Sequence, residues 1–230
     1  MVIAERDFWK MKTANHAGCG ECGSMPGKIV KIDTFRPEEA FLRCREVISA
    51  GGVIVYPTDT YYGLGADPRN GAAVKRLFAI KGRQPDQPIL LLISDPSEAS
   101  DWAVEVTPQA HVLMQKYWPG PLTLVFKARA NVLAGLTAST GTIGLRVPGN
   151  AMTRSLLRYL GHALTGTSAN ISSRPSPRTA EEAADVADLV DLILNGGESA
   201  GDKPSTIVDV RTEVPRVIRE GAIPSRSITA

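Results

Sequence analysis

Gly51-Gly-Val-Ile-Val-Tyr-Pro-Thr-Asp-Thr-Tyr-Tyr-Gly-Leu-Gly65 joins a strand-like apolar run to a polar loop. Val53–Tyr56 is a continuous apolar run of β-branched and aromatic residues, long enough for a strand buried on both faces. Pro57–Leu64 then crowds hydroxyls around one acid. A buried strand ending in a polar loop is the pattern of open α/β sheets, whose ligands sit beyond strand ends. A turn held by its own Thr and Asp side chains gives the same composition, and the residues alone leave both readings open.

Outward from this stretch, helices and strands alternate. Pro37–Ala50 reads as a helix: Pro37 suits its first turn, Phe41, Leu42, Val47 and Ile48 form an apolar face, and Gly51-Gly52 stops it. Gly71–Ile80, Pro108–Tyr117 and Ala151–Leu160 read as further helices, and a helix is expected to start after Thr179. Strands are expected at Ile89–Ile93, Leu122–Phe126, Thr142–Val147, Ala163–Thr165, Leu189–Leu194, Thr206–Val210 and Arg216–Arg219. The last three crowd together, which favours an α/β (α+β) architecture: a mixed β-sheet flanked by helices, not a pure parallel one.

The 230 residues suit one domain, expected over 29–230, with a Gly-rich extension over 1–28. That extension carries His16-Ala-Gly-Cys19-Gly-Glu-Cys22, thiolate and imidazole donors of the kind zinc takes, but no second ligand pair accompanies them. No metal site is therefore expected there. With 43% hydrophobic and 22% charged residues the chain is globular rather than disordered. Lys and Arg number 26 against 24 acidic residues, too balanced to announce a nucleic-acid protein, although a basic cleft remains compatible with it. No apolar run is long enough to span a membrane and no apolar leader opens the chain, so a cytoplasmic protein is expected. Three cysteines fit such a reducing compartment.

Neither a Walker A sequence nor a GxGxxG after a strand occurs. Polar clusters follow the buried strands instead. Lys81-Gly-Arg83 offers two cations for a phosphate, expected in a solvent-facing loop; on these residues alone a capped helix C-terminus is the stronger reading. Thr165-Gly-Thr-Ser-Ala-Asn170 supplies small hydroxyl and amide groups, and Lys203-Pro-Ser-Thr206 and Arg219-Glu-Gly221 complete the set.

In this order the clusters resemble the YrdC/Sua5/YciO family. The text that carries the resemblance is Gly51–Gly65, Lys81-Gly-Arg83, Trp118-Pro-Gly-Pro-Leu-Thr-Leu-Val-Phe126, Gly144-Leu-Arg-Val-Pro148, Thr165–Asn170, Lys203-Pro-Ser-Thr-Ile-Val-Asp209 and Arg219-Glu-Gly-Ala-Ile223. It covers about Pro37 to Ile223. The resemblance implies a YrdC-like fold, a twisted mixed sheet around a large concave cavity, in the short form without the C-terminal domain of long Sua5-type proteins. It implies synthesis of threonylcarbamoyl-adenylate and pyrophosphate from L-threonine, bicarbonate and ATP with Mg²⁺. The product would pass to a tRNA-modifying threonylcarbamoyl-transferase complex that acts on adenosine 37.

The family signature falls on Lys81, Arg83, Ser168 and Asn170, all intact, as the catalytic set. By the same resemblance Lys81, Arg83, Gln87, Thr142, Ser168, Ser176 and Arg219 contact ATP, and Thr60, Arg146 and Ser205 face threonine. Gln87 stands where the family often has Asn, and Leu92 where it often has His. Two other readings stay open: a YciO-like paralogue, and a module that binds tRNA or double-stranded RNA. Intact Ser168 and Asn170 speak against the first, and 6% aromatic residues give the second little stacking surface.

Overall fold

The computed structural model describes residues 28–33, 36–82 and 87–228. The Cys-containing segment and Arg83 lie outside these residues. Among the described residues ten strands form one sheet: β1 Ile29–Lys31, β2 Ile54–Tyr56, β3 Gly63–Gly65, β4 Leu90–Leu92, β5 Leu122–Lys127, β6 Thr142–Arg146, β7 Leu164–Ser168, β8 Leu192–Asn195, β9 Thr206–Asp209 and β10 Arg216–Arg219. Their order is β1-β8-β2-β3-β7-β4-β6-β5-β9-β10. The β1–β8, β8–β2, β4–β6 and β5–β9 pairs are parallel and the others antiparallel, so the sheet is mixed as the crowded final strands implied.

Both faces are covered. Val53 and Val55 enter one apolar cluster, with Val74 and Leu77 of α2 (Gly71–Lys81) and Leu113 of α4 (Pro108–Tyr117). Ile54 and Tyr56 point the other way, into a cluster with Phe41 and Ile48 of α1 (Pro37–Ser49) and Leu156 and Leu157 of α6 (Ala151–Leu160). This two-residue alternation within a wholly apolar run is what a strand between two helical layers needs. Three short helices, α3 Ala99–Trp102, α5 Ala134–Thr137 and α7 Ala184–Ala187, complete the shell.

The main helices end where local chemistry tells them to. Asn70 accepts from the amides of Ala72 and Ala73, Thr107 from Ala110, and Asn150 from Thr153. Gly51, Gly82 and Gly161 take left-handed conformations just past α1, α2 and α6.

Several expectations need correction. The chain forms a strand at Ile29–Lys31, where none was expected, and Lys28 joins the packed body: its carbonyl accepts from Ile193 N at 2.6 Å. Gly63–Gly65, read as loop, is β3, wedged between β2 and β7. The strand expected at Ala163–Thr165 continues to Ser168, so part of the polar cluster lies within the sheet. The strand expected from Leu189 starts only at Leu192, because the Asp191 side chain accepts from Val53 N and Arg76. It also lies far from β9 and β10, between β1 and β2. After Thr179 the chain makes one 3₁₀ turn, Glu181–Ala183, before the short α7.

Candidate active site

A concavity of about 980 Å³ opens on the sheet, at the upper end of the range for small-molecule sites. Thr60, Lys81, Gln87, Thr142, Arg146, Ser168, Asn170, Ser176, Ser205 and Arg219 all line it. Every described residue that the family resemblance assigned to ATP or threonine therefore reaches one space. Its floor is hollowed by glycines. A Cβ on Gly166 would stand 2.6 Å from Leu90 Cδ1, and one on Gly144 3.1 Å from Leu90 Cβ, so larger residues there would displace the side chain that shapes the floor.

The residues fall into two groups. Arg146 organises the first. Its side chain is 4% exposed and its three nitrogens are held by two segments, the loop at Asp59-Thr60 and the turn at Gly120. Nε donates to Gly120 O at 2.9 Å, Nη1 to Thr60 Oγ1 at 3.2 Å and Nη2 to Asp59 Oδ1 at 2.5 Å. Thr58 braces this loop: its hydroxyl donates to Tyr61 O and lies 3.0 Å from Thr60 Oγ1. Arg219 belongs to the same group. Its Nη2 donates to Ser205 O at 2.8 Å, and Ser205 Oγ pairs with Thr123 Oγ1 at 2.8 Å. Burial, and then the charge of Arg146, push the Arg219 guanidinium below its ordinary range. The phenol of Tyr56 is pushed up by burial, with Arg146 pulling it the other way.

Lys81 organises the second group. It was expected in a solvent-facing loop, but α2 runs one residue further than the sequence suggested and buries it at 4% exposure. Nζ donates to Ser168 O at 2.7 Å, Asn170 Oδ1 at 2.8 Å and Asn170 O at 2.9 Å, with Ser168 Oγ at 3.3 Å. Ser168 Oγ in turn donates to Asn170 Oδ1 at 2.6 Å. The ammonium thus holds the β7 exit in shape, its three N–H groups matched by Ser168 O, Asn170 O and Asn170 Oδ1.

The register separates the groups. Arg146 pairs with Leu92, and Leu92 with Leu164. Ser168 lies four residues further along β7, which is about 13 Å at the usual strand rise. Leu92, only 1% exposed, is thus the cross-strand neighbour of Arg146 on the cavity wall. Arg219 was grouped with Lys81 from sequence; the geometry puts it beside Arg146. Asp59 and Thr123 received no role from the sequence, although both sit inside the quoted motifs. The signal for Asp59 was the lone acid among the hydroxyls of Pro57–Leu64.

Gly221 fixes the Arg219–Ser205 contact. A Cβ there would lie 2.2 Å from Pro204 O. The neighbouring Thr206 hydroxyl already serves Gly221 N, Ile223 N and Ile223 O. Gly221→Ala is expected to cost about 1–3 kcal/mol of stability and to weaken any ligand held by Ser205. Thermal unfolding and calorimetric titration check the two effects.

The Sua5/YciO/YrdC family model, described as telomere recombination, matches residues 46–221. Among curated relatives, a threonylcarbamoyl-AMP synthase of Bacillus subtilis is 34% identical over 180 residues, 77% of this chain and 52% of that protein. One from Idiomarina loihiensis is 37% identical over 163 residues, 69% of this chain and 87% of that protein. The chain spans about half the length of the longer relatives it matches. Among solved structures, P. abyssi Sua5 complexed with L-threonine superposes with a TM-score of 0.83 at 32% identity, covering 87% of this chain and 59% of that one.

Proposed function

The chain belongs to the Sua5/YciO/YrdC family, and from that premise we propose that it is a nucleotidyltransferase that makes L-threonylcarbamoyl-adenylate. The observation that carries the reading is the two-ended cavity: a buried arginine, a second arginine exposed at the rim and neutral hydroxyls at one end, and a lysine-braced hydroxyl and amide cluster about 13 Å away along the strands. An amino acid needs the first kind of surface and a nucleotide the second. The naming of relatives after this product, and the threonine in P. abyssi Sua5, support the assignment.

In this reading Arg146 and Arg219 hold the threonine carboxylate, with Thr60 and Ser205 on its remaining polar groups. The threonine amine adds to carbon dioxide from bicarbonate, losing one proton, and gives a carbamate. A carbamate oxygen attacks the α-phosphorus of ATP, the bond to the β-phosphate oxygen breaks, and pyrophosphate leaves. No covalent enzyme intermediate is required. Negative charge grows on the departing pyrophosphate, so fixed donors stabilise that stage more than the ground state. Lys81 contributes by holding Ser168 and Asn170 in place, and Ser176, Thr142 and Gln87 complete the nucleotide end.

Mg²⁺ belongs with the nucleotide. Among the described residues no cluster of three or more His, Cys, Asp or Glu could hold a metal alone. The ion fits as one carried by phosphates and water, with the Ser168 hydroxyl nearby, the manner in which Mg²⁺ usually accompanies ATP. It would neutralise phosphate charge. Transfer of the product to adenosine 37 of tRNA then falls to a separate threonylcarbamoyl-transferase complex.

The test is pyrophosphate release by the purified chain. Release is expected only when ATP, L-threonine and bicarbonate are all present. Equal release without bicarbonate, or with serine in place of threonine, contradicts the proposal.

A further inference from the structure

We propose that Asp59 sets the anion class accepted at the arginine end of the cavity, so that a single carboxylate binds there and polyphosphate is turned away. The inference rests on the functional reading above in one respect: that the ligand of this end is an amino acid sharing the cavity with a nucleotide.

Two arginines face this end, Arg146 and Arg219. Left alone, buried Arg146 and exposed Arg219 would form a doubly positive site, which is what phosphate groups seek. Asp59 removes one of those charges. It is the acidic partner of Arg146 among the described residues, and no described carboxylate lies within ion-pair distance of Arg219. One positive charge remains, matching one carboxylate.

Asp59 does this from behind the wall. Its neighbours Thr58, Thr60 and Tyr61 line the cavity and Asp59 does not. It therefore acts through Arg146, as a positioning residue, and through its charge. Its second oxygen, Oδ2, is buried with no hydrogen-bond partner, and a Cβ on Gly149 would stand 2.9 Å from it. A carboxylate oxygen left without a donor is costly, so a purely structural role would be served better by an amide or a hydroxyl. A Cβ on Gly201 would lie 2.7 Å from Asp59 O and from Thr60 Cα, so the backbone that carries Asp59 is closely packed. Buried charges at such short range are little screened by salt.

The discrimination has a use in the proposed reaction. ATP and released pyrophosphate both occupy the cavity beside the amino acid. A doubly positive amino-acid end would hold pyrophosphate and block the next threonine.

The test is calorimetric titration of the full chain with inorganic pyrophosphate. Asp59→Asn and Asp59→Ala are each expected to bind it about tenfold more tightly than the parent, the size of one buried charge interaction in a partly polar surround. The two variants differ in what they leave beside Gly149, so a folding defect in one does not decide the matter. Adding Arg219→Gln to either restores one net positive charge and is expected to return pyrophosphate affinity to the parent value, a rescue that a merely structural role would not give. Unchanged pyrophosphate affinity in both variants overturns the proposal, as does a gain that survives Arg219→Gln. Titration with L-threonine separates the two readings: a parent chain that fails to bind threonine, while the pyrophosphate shift persists, refutes the assigned substrate and leaves the charge rule standing.

Discussion

Lys81→Ala is expected to lower stability by about 3 kcal/mol and to cut turnover by roughly 10²–10³-fold. A lysine that only touched phosphate would affect turnover alone. Here the ammonium is buried at the end of α2 and bonds Ser168 O, Asn170 O and Asn170 Oδ1. Removing it strands acceptors that water reaches poorly, and each unsatisfied group costs about 1–3 kcal/mol. It also frees the β7 exit to move, taking Ser168 and Asn170 with it. Urea unfolding and steady-state turnover measure the two parts. Lost turnover with an unchanged unfolding midpoint would mean that Lys81 serves the nucleotide and not the framework.

Arg146→Lys is expected to weaken threonine binding by roughly 10–100-fold, the loss of a charge-assisted bond or two. ATP binding should change no more than about 3-fold. The guanidinium reaches Gly120, Thr60 and Asp59 at once because its donors form a rigid planar fork. A lysine ammonium at the same site presents one point charge and leaves part of that set unmet. The nucleotide end is spared because Ser168 is displaced from the level of Arg146 by four strand residues and two strands. Titration with ATP and then threonine separates the effects. Loss of ATP affinity with threonine affinity intact would require exchanging the two ends of the cavity.

Much of this fold was legible because its signals are local. Val53–Tyr56 could only be a buried strand, and Asn150 and Gly161 bracket α6 with their own cap chemistry. β3 was not legible. Gly63-Leu-Gly65 has the residues of a turn, and glycine weakens a strand; it becomes one because β2 and β7 offer hydrogen bonds on both sides and Tyr56 needs the space above its glycines. β1 was hidden for a similar reason: its three residues gain their order from β8, distant in the chain.

The site divides along the same line. The residue types that gather in the cavity could be named from motifs, but not their grouping. Arg219 joins Arg146 because β9 pairs with β5 and carries β10 and Ser205 with it, a long-range event no spacing encodes. The burial of Lys81 was equally hidden. A capping lysine that points to solvent and one that turns inward to meet β7 have the same sequence, and only the packing of α2 beside Ser168 decides between them.

The most direct measurement is product analysis with ¹³C-bicarbonate. The chain is incubated with ATP, L-threonine and the labelled salt, and the nucleotide products are separated by mass. The expected result is an adenylate carrying both threonine and one ¹³C atom, formed together with pyrophosphate. AMP and pyrophosphate without label in any adenylate, or an adenylate of threonine lacking the carbon, would contradict the account.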